Sequence, residues 1–458
     1  MSSSADNADL RNDVRKLADL LGQTIARQES NELLSLVESV RLSVREGQQD
    51  QILSKLDDSQ TISLVRAFSN YFNLANVAEQ VNRSKVLADA HSSGGSWLKK
   101  TVDNILQAQT DGKDFDKKEL QVWVDNFSVR PVFTAHPTEA ARRSVLSKMT
   151  TIAQLLEQPD SQIKTERLGE TIDLLWQTDE LRLGRPEPLD EAVNSIYYLD
   201  ELLIQTVPEV LAEFANEVKR LGIQLSLNAR PLSFGTWIGG DRDGNPNITA
   251  EVTKAAILLQ NSHFTRTVFE HLDELRQALS ISTKLAGVSA ELEKSVAQDL
   301  EKLPEIENRY RRINVEEPYR LKATAIRHKL ALTQVRHASG LPHFPGRDYK
   351  DTAELLNDLE IMRTSLIANN GQLIATGLLE RITRAISAFG LTHATMDIRE
   401  HSGVHRQLLN QIFSDLTPEL INSQLDSKEQ PNLDNLDEAS DRCFKTFVAM
   451  NELIDRFG

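Results

Sequence analysis

Apolar residues recur every three or four positions along most of this chain, the spacing that gathers them on one face of a helix. Leu10, Val14, Leu17, Leu21 and Ile25 form such a stripe, which predicts an amphipathic first helix after a disordered start over residues 1–9. A second helix is expected from Asn31. A third carries Leu64, Phe68, Phe72, Ala75 and Ala78 and ends near the loop Ser92-Ser-Gly-Gly-Ser96. Asp116 and Glu119 stand at capping-box spacing for a short helix leading to Phe127. Residues 10–126 therefore read as an N-terminal helical region.

The period changes in three places. Val132, Phe133 and Thr134 are β-branched or aromatic and lie just before Pro137, which suits a brief buried strand; Thr138 and Glu139 then open a helix. The pattern stays helical to Leu183, broken near Gln158-Pro-Asp-Ser161, and a long helix is expected from Asp190 to Leu221. A second β-like run, Leu232-Ser-Phe-Gly-Thr-Trp-Ile238, feeds the loop Gly239-Gly-Asp-Arg-Asp-Gly-Asn-Pro246. A third lies in Leu391-Thr-His-Ala-Thr-Met-Asp-Ile-Arg-Glu-His401. Each run is a short apolar strand with polar groups at its carboxyl end and a helix after it. In a parallel barrel such ends converge on one mouth, so His136, the Asp241–Asn245 loop and Arg399 are expected to meet. The fold class is a mostly α-helical α/β protein, with residues 127–458 an incomplete (β/α)8 TIM-type barrel carrying large helical insertions.

Charge and composition narrow the function. Lys and Arg number 52 against 67 Asp and Glu, a net charge of -15, which argues against a general nucleic-acid surface and leaves room only for local basic pockets. The single cysteine, Cys443, excludes an internal disulfide framework and a multi-cysteine zinc site. The start, Met1-Ser-Ser-Ser-Ala-Asp-Asn, lacks an apolar signal core and no run is long enough to span a bilayer, so a cytoplasmic chain without membrane contact is expected.

Taken one at a time, the polar groups admit two accounts. A histidine just past a strand can serve as acid or base near neutral pH, and a buried core histidine that only satisfies hydrogen bonds, the commoner case, is the other account of His136. Arg142 and Arg143 suit an anion or a solvated helix face. The glycine-rich loop permits close backbone approach to a ligand, with Asp241, Arg242, Asp243 and Asn245 supplying charge and hydrogen bonds; an ion-paired structural turn has the same composition. A calcium loop is rejected, because its sixth position is Pro246 where glycine is required and its twelfth is Val252. Arg399 suits a phosphate or carboxylate clamp, or a salt bridge to Asp397 or Glu400.

Taken together, Phe133-Thr-Ala-His-Pro-Thr-Glu139 with Arg142-Arg-Ser144, Trp237-Ile-Gly-Gly-Asp-Arg-Asp-Gly-Asn-Pro246, Glu317-Pro-Tyr-Arg320 and Met396-Asp-Ile-Arg399 resemble, in the same order, the amino-terminal half of phosphoenolpyruvate carboxylase. The resemblance implies a carboxy-lyase dependent on Mg2+ or Mn2+, in which phosphoenolpyruvate and bicarbonate give carboxyphosphate and an enolate. Carbon dioxide then adds to form oxaloacetate and phosphate, an anaplerotic carbon dioxide fixation that feeds the tricarboxylic acid cycle. His136 matches the family's catalytic base. Arg399 matches the arginine that holds the substrate phosphate, and Asp241, Arg242, Asp243 and Asn245 become substrate-binding residues of the loop. Arg142, Arg143 and Arg182 match a basic patch at which some members take a sugar-phosphate activator. The resemblance further implies a homotetramer. The family's metal carboxylates and remaining barrel strands lie beyond Gly458, so the metal ligands are expected outside this chain, the chain alone is expected to be inactive, and a carboxyl-terminal half or second polypeptide is the expected partner. The alternative is a non-catalytic helical interaction or regulatory module that retains the motifs.

Overall fold

The computed structural model describes residues 6–112, 115–134, 143–179, 187–202, 206–226, 229–413, 417, 419–420, 422–423, 433 and 435–457. In chain order the first elements are α1 (Asp6–Gln28), α2 (Asn31–Glu46), α3 (Gln49–Leu53), α4 (Asp58–Gly94), α5 (Trp97–Thr110), α6 (Lys117–Asn126), β1 (Val132–Phe133), α7 (Arg143–Glu157) and α8 (Gln162–Trp176). Next come α9 (Pro188–Glu201), α10 (Val207–Arg220), β2 (Gly235–Thr236), α11 (Ala250–Ala278), α12 (Ala290–Lys302), α13 (Asn308–Ile313), α14 (Pro318–Ser339) and α15 (Thr352–Ala368). After α16 (Gln372–Ile374) and a π-helical turn, Ala375–Leu379, follow α17 (Glu380–Phe389), β3 (Thr395–Met396), α18 (Ser402–Ile412) and α19 (Glu438–Phe457). No helix among the described residues is long and apolar enough to cross a membrane.

Two compact units divide the chain, Met1–Thr101 with His136–Arg185, and Val102–Ala135 with Pro186–Gly458. Each unit is built on a core of its own. In the first unit Leu17 and Leu21 of α1 and Leu74 of α4 share a core with Ile152 of α7 and Leu168 of α8. In the second, Val102 of α5 and Val124 of α6 pack with Val218, Leu221 and Ile223 at and after the end of α10.

Local chemistry sets most helix ends. Ser30 accepts from the Leu33 backbone N–H to open α2, and Gly47, at φ +70°, closes it. Asp57 and Gln60 form a full capping box at α4, which ends at Gly95 as expected. At α6, Asp116 instead caps the Lys118 N–H at 2.8 Å, and the expected reciprocal bond from Glu119 is not part of the cap. Helix α1 starts at Asp6, ahead of Leu10. Of the long helix expected from Asp190 to Leu221, the described residues form α9 and α10, and Leu202 and Thr206 between them keep helical backbone; Pro208 lies in the first turn of α10, where its missing N–H costs little.

The three strands lie side by side in the order β1-β2-β3, all parallel. They are much shorter than the apolar runs that predict them, two residues each, extended by isolated bridges Val129↔Leu232 and Asp241↔Arg399. Beneath them Phe234 stacks on Phe389 of α17, ring centroids 4.6 Å apart, so the sheet rests on the main helical core of this unit.

Candidate active site

Two glycines let the loop after β2 press against the end of β3. Gly239 sits at φ +82°, a conformation that disfavours side chains, and a Cβ on Gly240 would lie 2.5 Å from the Asp397 carbonyl oxygen. The close approach creates a second hydrogen-bonded step beyond the strands. Arg399 N–H donates to the Gly240 carbonyl at 3.0 Å and Arg242 N–H donates to the Arg399 carbonyl at 2.9 Å.

On this step the side chains of Asp241 and Arg399 meet. Arg399 Nη1 donates to Asp241 Oδ2 at 3.0 Å, and the guanidinium lies over the Trp237 ring, 4.1 Å from its centroid. The expected alternative partners of Arg399 do not take it. Asp397 accepts from Trp237 Nε1 at 3.3 Å and from Arg130 Nη2 at 3.1 Å, while Glu400 accepts from the His401 N–H. The Arg399 side chain stays 41% exposed, and among the described residues its Nε and Nη2 carry no protein hydrogen bond. An exposed ion pair of this kind stabilises a fold by only about 0–1 kcal/mol. Its value is orientation: one edge and one face of the guanidinium are fixed, and its remaining donors take no partner from the described residues.

Arg242 is placed quite differently from its neighbours. It is 2% exposed, and its guanidinium donates to the Gly240 carbonyl at 3.2 Å, to Thr253 Oγ1 at 2.6 Å and to the Thr249 carbonyl at 3.4 Å. Thr253 Oγ1 in turn donates to the Gly239 carbonyl at 2.7 Å. Burial lowers the Arg242 pKa, opposed by the charge of Glu400. Arg242 is thus a strut tying the loop to α11, turned away from the Asp241 and Arg399 face. Its other side borders a small pocket, about 370 Å³ including open solvent, lined with Ile398, Glu400, Cys443, Phe447 and Met450. Alternate residues after β3 accordingly face opposite ways: Asp397 and Arg399 toward Trp237, Ile398 and Glu400 toward Arg242.

Beyond Arg242 the loop is exposed at Asp243 and Gly244 and half-buried at Asn245. Asp243 N–H donates to Asp241 Oδ1 at 3.3 Å, and Asn245 Oδ1 accepts from Asn247 N–H at 3.1 Å, a local turn that holds the loop open. The Glu317-Pro-Tyr-Arg320 motif lies elsewhere. There Arg320 caps the end of α11 through the Arg276 carbonyl at 3.1 Å and pairs with Glu317 at 2.8 Å, both structural contacts. His136, Arg142 and Arg182 fall outside the described residues, as does the side chain of Arg143. No group of three or more His, Cys, Asp or Glu side chains among the described residues is placed to hold a metal ion, so these residues by themselves do not fit a divalent cation. Charge pattern in the sequence offers Asp397 only as an alternative partner for Arg399 and gives Arg130 no role. The period-2 alternation that puts Asp397 on the face of Arg399 is the signal that could have found it.

A family model described as phosphoenolpyruvate carboxylase matches residues 10–438. Among similar proteins, the phosphoenolpyruvate carboxylase of Roseiflexus castenholzii is 34% identical over 425 residues, covering 88% of this chain and 45% of that protein. Those of Bradyrhizobium diazoefficiens and Rhodopseudomonas palustris (strain BisA53) are each 33% identical, and each alignment covers 90% of this chain and 46% of the relative. The chain spans about half the length of the curated relatives it matches.

Proposed function

Because the chain belongs to the phosphoenolpyruvate carboxylase family, we propose that it contributes the phosphate-facing part of a carboxylase active site, in which phosphoenolpyruvate and bicarbonate are converted to oxaloacetate and phosphate. The observation that carries this reading is Arg399, braced by Asp241 and Trp237 at the carboxyl ends of parallel strands with its other donors open. Such a guanidinium suits a phosphate dianion, whose charge it shares during transfer. Asp241 orients it, and Asp243 and Asn245 border the same exposed loop. Within this reading Arg242 serves substrate binding indirectly, by holding the loop in place. His136, following β1, is the proposed base that takes the proton of carboxyphosphate as carbon dioxide is released. Arg142, Arg143 and Arg182 form the proposed site for an anionic effector.

The reading extends to features of the whole family protein: a completed TIM-type barrel, Mg2+ or Mn2+ held by residues other than those described, a homotetramer, and a cytoplasmic setting. Metal, when bound, would supply positive charge to the transferred phosphate. The chain alone is proposed to be inactive and to require a carboxyl-terminal half, in the same or a second polypeptide. The test is oxaloacetate formation by the purified chain, alone and co-expressed with the carboxyl-terminal half of a relative, in wild type and His136→Asn. Turnover is expected only in the complemented wild type. Equal carboxylation by His136→Asn would remove the proposed base, and failure of every complement would favour the non-catalytic module.

A further inference from the structure

One carboxylate links all three strands without belonging to any assigned site. Asp397, just past β3, accepts from Arg130 Nη2 at 3.1 Å through both of its oxygens and from Trp237 Nε1 at 3.3 Å. Arg130 precedes β1 and Trp237 follows β2, so a single side chain joins residues flanking each strand of the sheet. Trp237 carries the consequence. Its ring is the platform under Arg399, 4.1 Å from the guanidinium, and an indole has two torsions by which that platform can turn. The residues two positions away on either side, Gly235 and Gly239, have no side chain to brace the ring on its own face.

We propose that Asp397 is a positioning residue for the anion-holding arginine: its carboxylate, fixed by Arg130, locks the Trp237 indole, and the indole sets the plane in which Arg399 is presented. The proposal rests on the reading of Arg399 as the residue that holds the substrate phosphate. Its sign separates it from simple electrostatics. Asp397 is negative and neutralises Arg130, so deleting it makes the neighbourhood more positive; acting only through its field, the deletion would tighten an anion. Acting through the indole, it loosens the Arg399 donors and weakens the anion.

The experiment titrates the full chain with inorganic phosphate by calorimetry at low ionic strength. The set is wild type, Arg399→Ala, Asp397→Ala, Asp397→Asn, Trp237→Phe and the Asp397→Ala, Trp237→Phe double variant, each checked for wild-type thermal unfolding. Indole N–H resonances are recorded in parallel, with that of Trp237 identified by its loss in Trp237→Phe. Asp397→Ala is expected to weaken phosphate by about fivefold or more and to shift the Trp237 N–H. Asp397→Asn, which keeps an acceptor, falls between, and Asp397→Ala adds little once Trp237 is Phe, the non-additivity of groups acting in series. Unchanged or tighter phosphate binding in a folded Asp397→Ala overturns the proposal. So does the same loss in the Trp237→Phe background as in wild type, or an unmoved indole N–H. Phosphate binding that is absent in wild type, or indifferent to Arg399→Ala, instead refutes the reading of Arg399, and the proposal falls with it. Should Asp397→Ala unfold early, Asp397→Asn and the resonance of its Trp237 N–H decide alone.

Discussion

Asp241 and Arg399 are 158 residues apart in the chain and are joined twice, by a parallel backbone bridge and by a 3.0 Å ion pair. The backbone bridge sets the distance and the ion pair sets the direction of the guanidinium. Because the pair is exposed, it adds little to stability, and its removal tests function with little cost in folding.

Arg399→Ala is therefore expected to leave the unfolding midpoint near that of wild type while reducing phosphate affinity about tenfold or more, the loss of a charge-assisted hydrogen bond. Arg399→Lys should recover only part of it, because an ammonium neither stacks on Trp237 nor offers a planar pair of donors. Calorimetric titration with phosphate reads both. A Lys variant equal to wild type would show that charge alone is required.

Gly240→Ala is expected to destabilise the chain by about 1–3 kcal/mol, because the added methyl meets the Asp397 carbonyl at 2.5 Å and backbone cannot yield as a side chain does. Gly244→Ala is the control: φ is +74° there but nothing lies within 4 Å, so only the backbone penalty of about 1 kcal/mol remains. Urea unfolding distinguishes them, and equal losses would contradict the close approach.

Arg242→Met should cost more than either. It keeps most of the volume but leaves Thr253 and the Gly240 carbonyl without their buried cation, a loss of roughly 3–6 kcal/mol for two charged hydrogen bonds at about 1.5–3 kcal/mol each. If Arg242→Met instead unfolds like wild type while losing phosphate affinity, Arg242 contacts the anion directly.

Stability should fall as pH drops below about 6.5. Burial pulls the His393 imidazole down to about 4 and that of His337 to about 3, so both are neutral in the fold while the unfolded chain takes up protons near 6.5. Below that pH the unfolded state binds more protons, and each histidine costs stability on the order of 3 kcal/mol by about pH 4. Asp200 lies 3.6 Å from His393 Nε2 and opposes part of the shift. His393→Asn suits the position, since φ there is +71° and asparagine tolerates it. Its urea midpoint is expected to change less than that of wild type between about pH 7 and about pH 5; an identical change would exclude His393 as a source.

Much of this molecule is legible in its sequence because the information is local. The three-four spacing of Leu10 to Ile25, the start of the second helix at Asn31, the glycines at 239 and 240, and the three apolar runs each act on neighbours within a turn or a strand. The same locality misleads at the Asp116 cap, where the reciprocal bond expected from Glu119 is not part of the cap. What sequence could not assign was partnership. Asp241, Arg242, Asp397, Arg399 and Glu400 offer several plausible ion pairs, and charge pattern alone does not choose among them. The parallel register of β2 with β3, with glycine in place of side chains at the contact, brings Arg399 to Asp241, leaves Asp397 to Trp237 and Arg130, and buries Arg242 behind the loop. Those pairings depend on distances across strands far apart in the chain, so only the tertiary structure decided them.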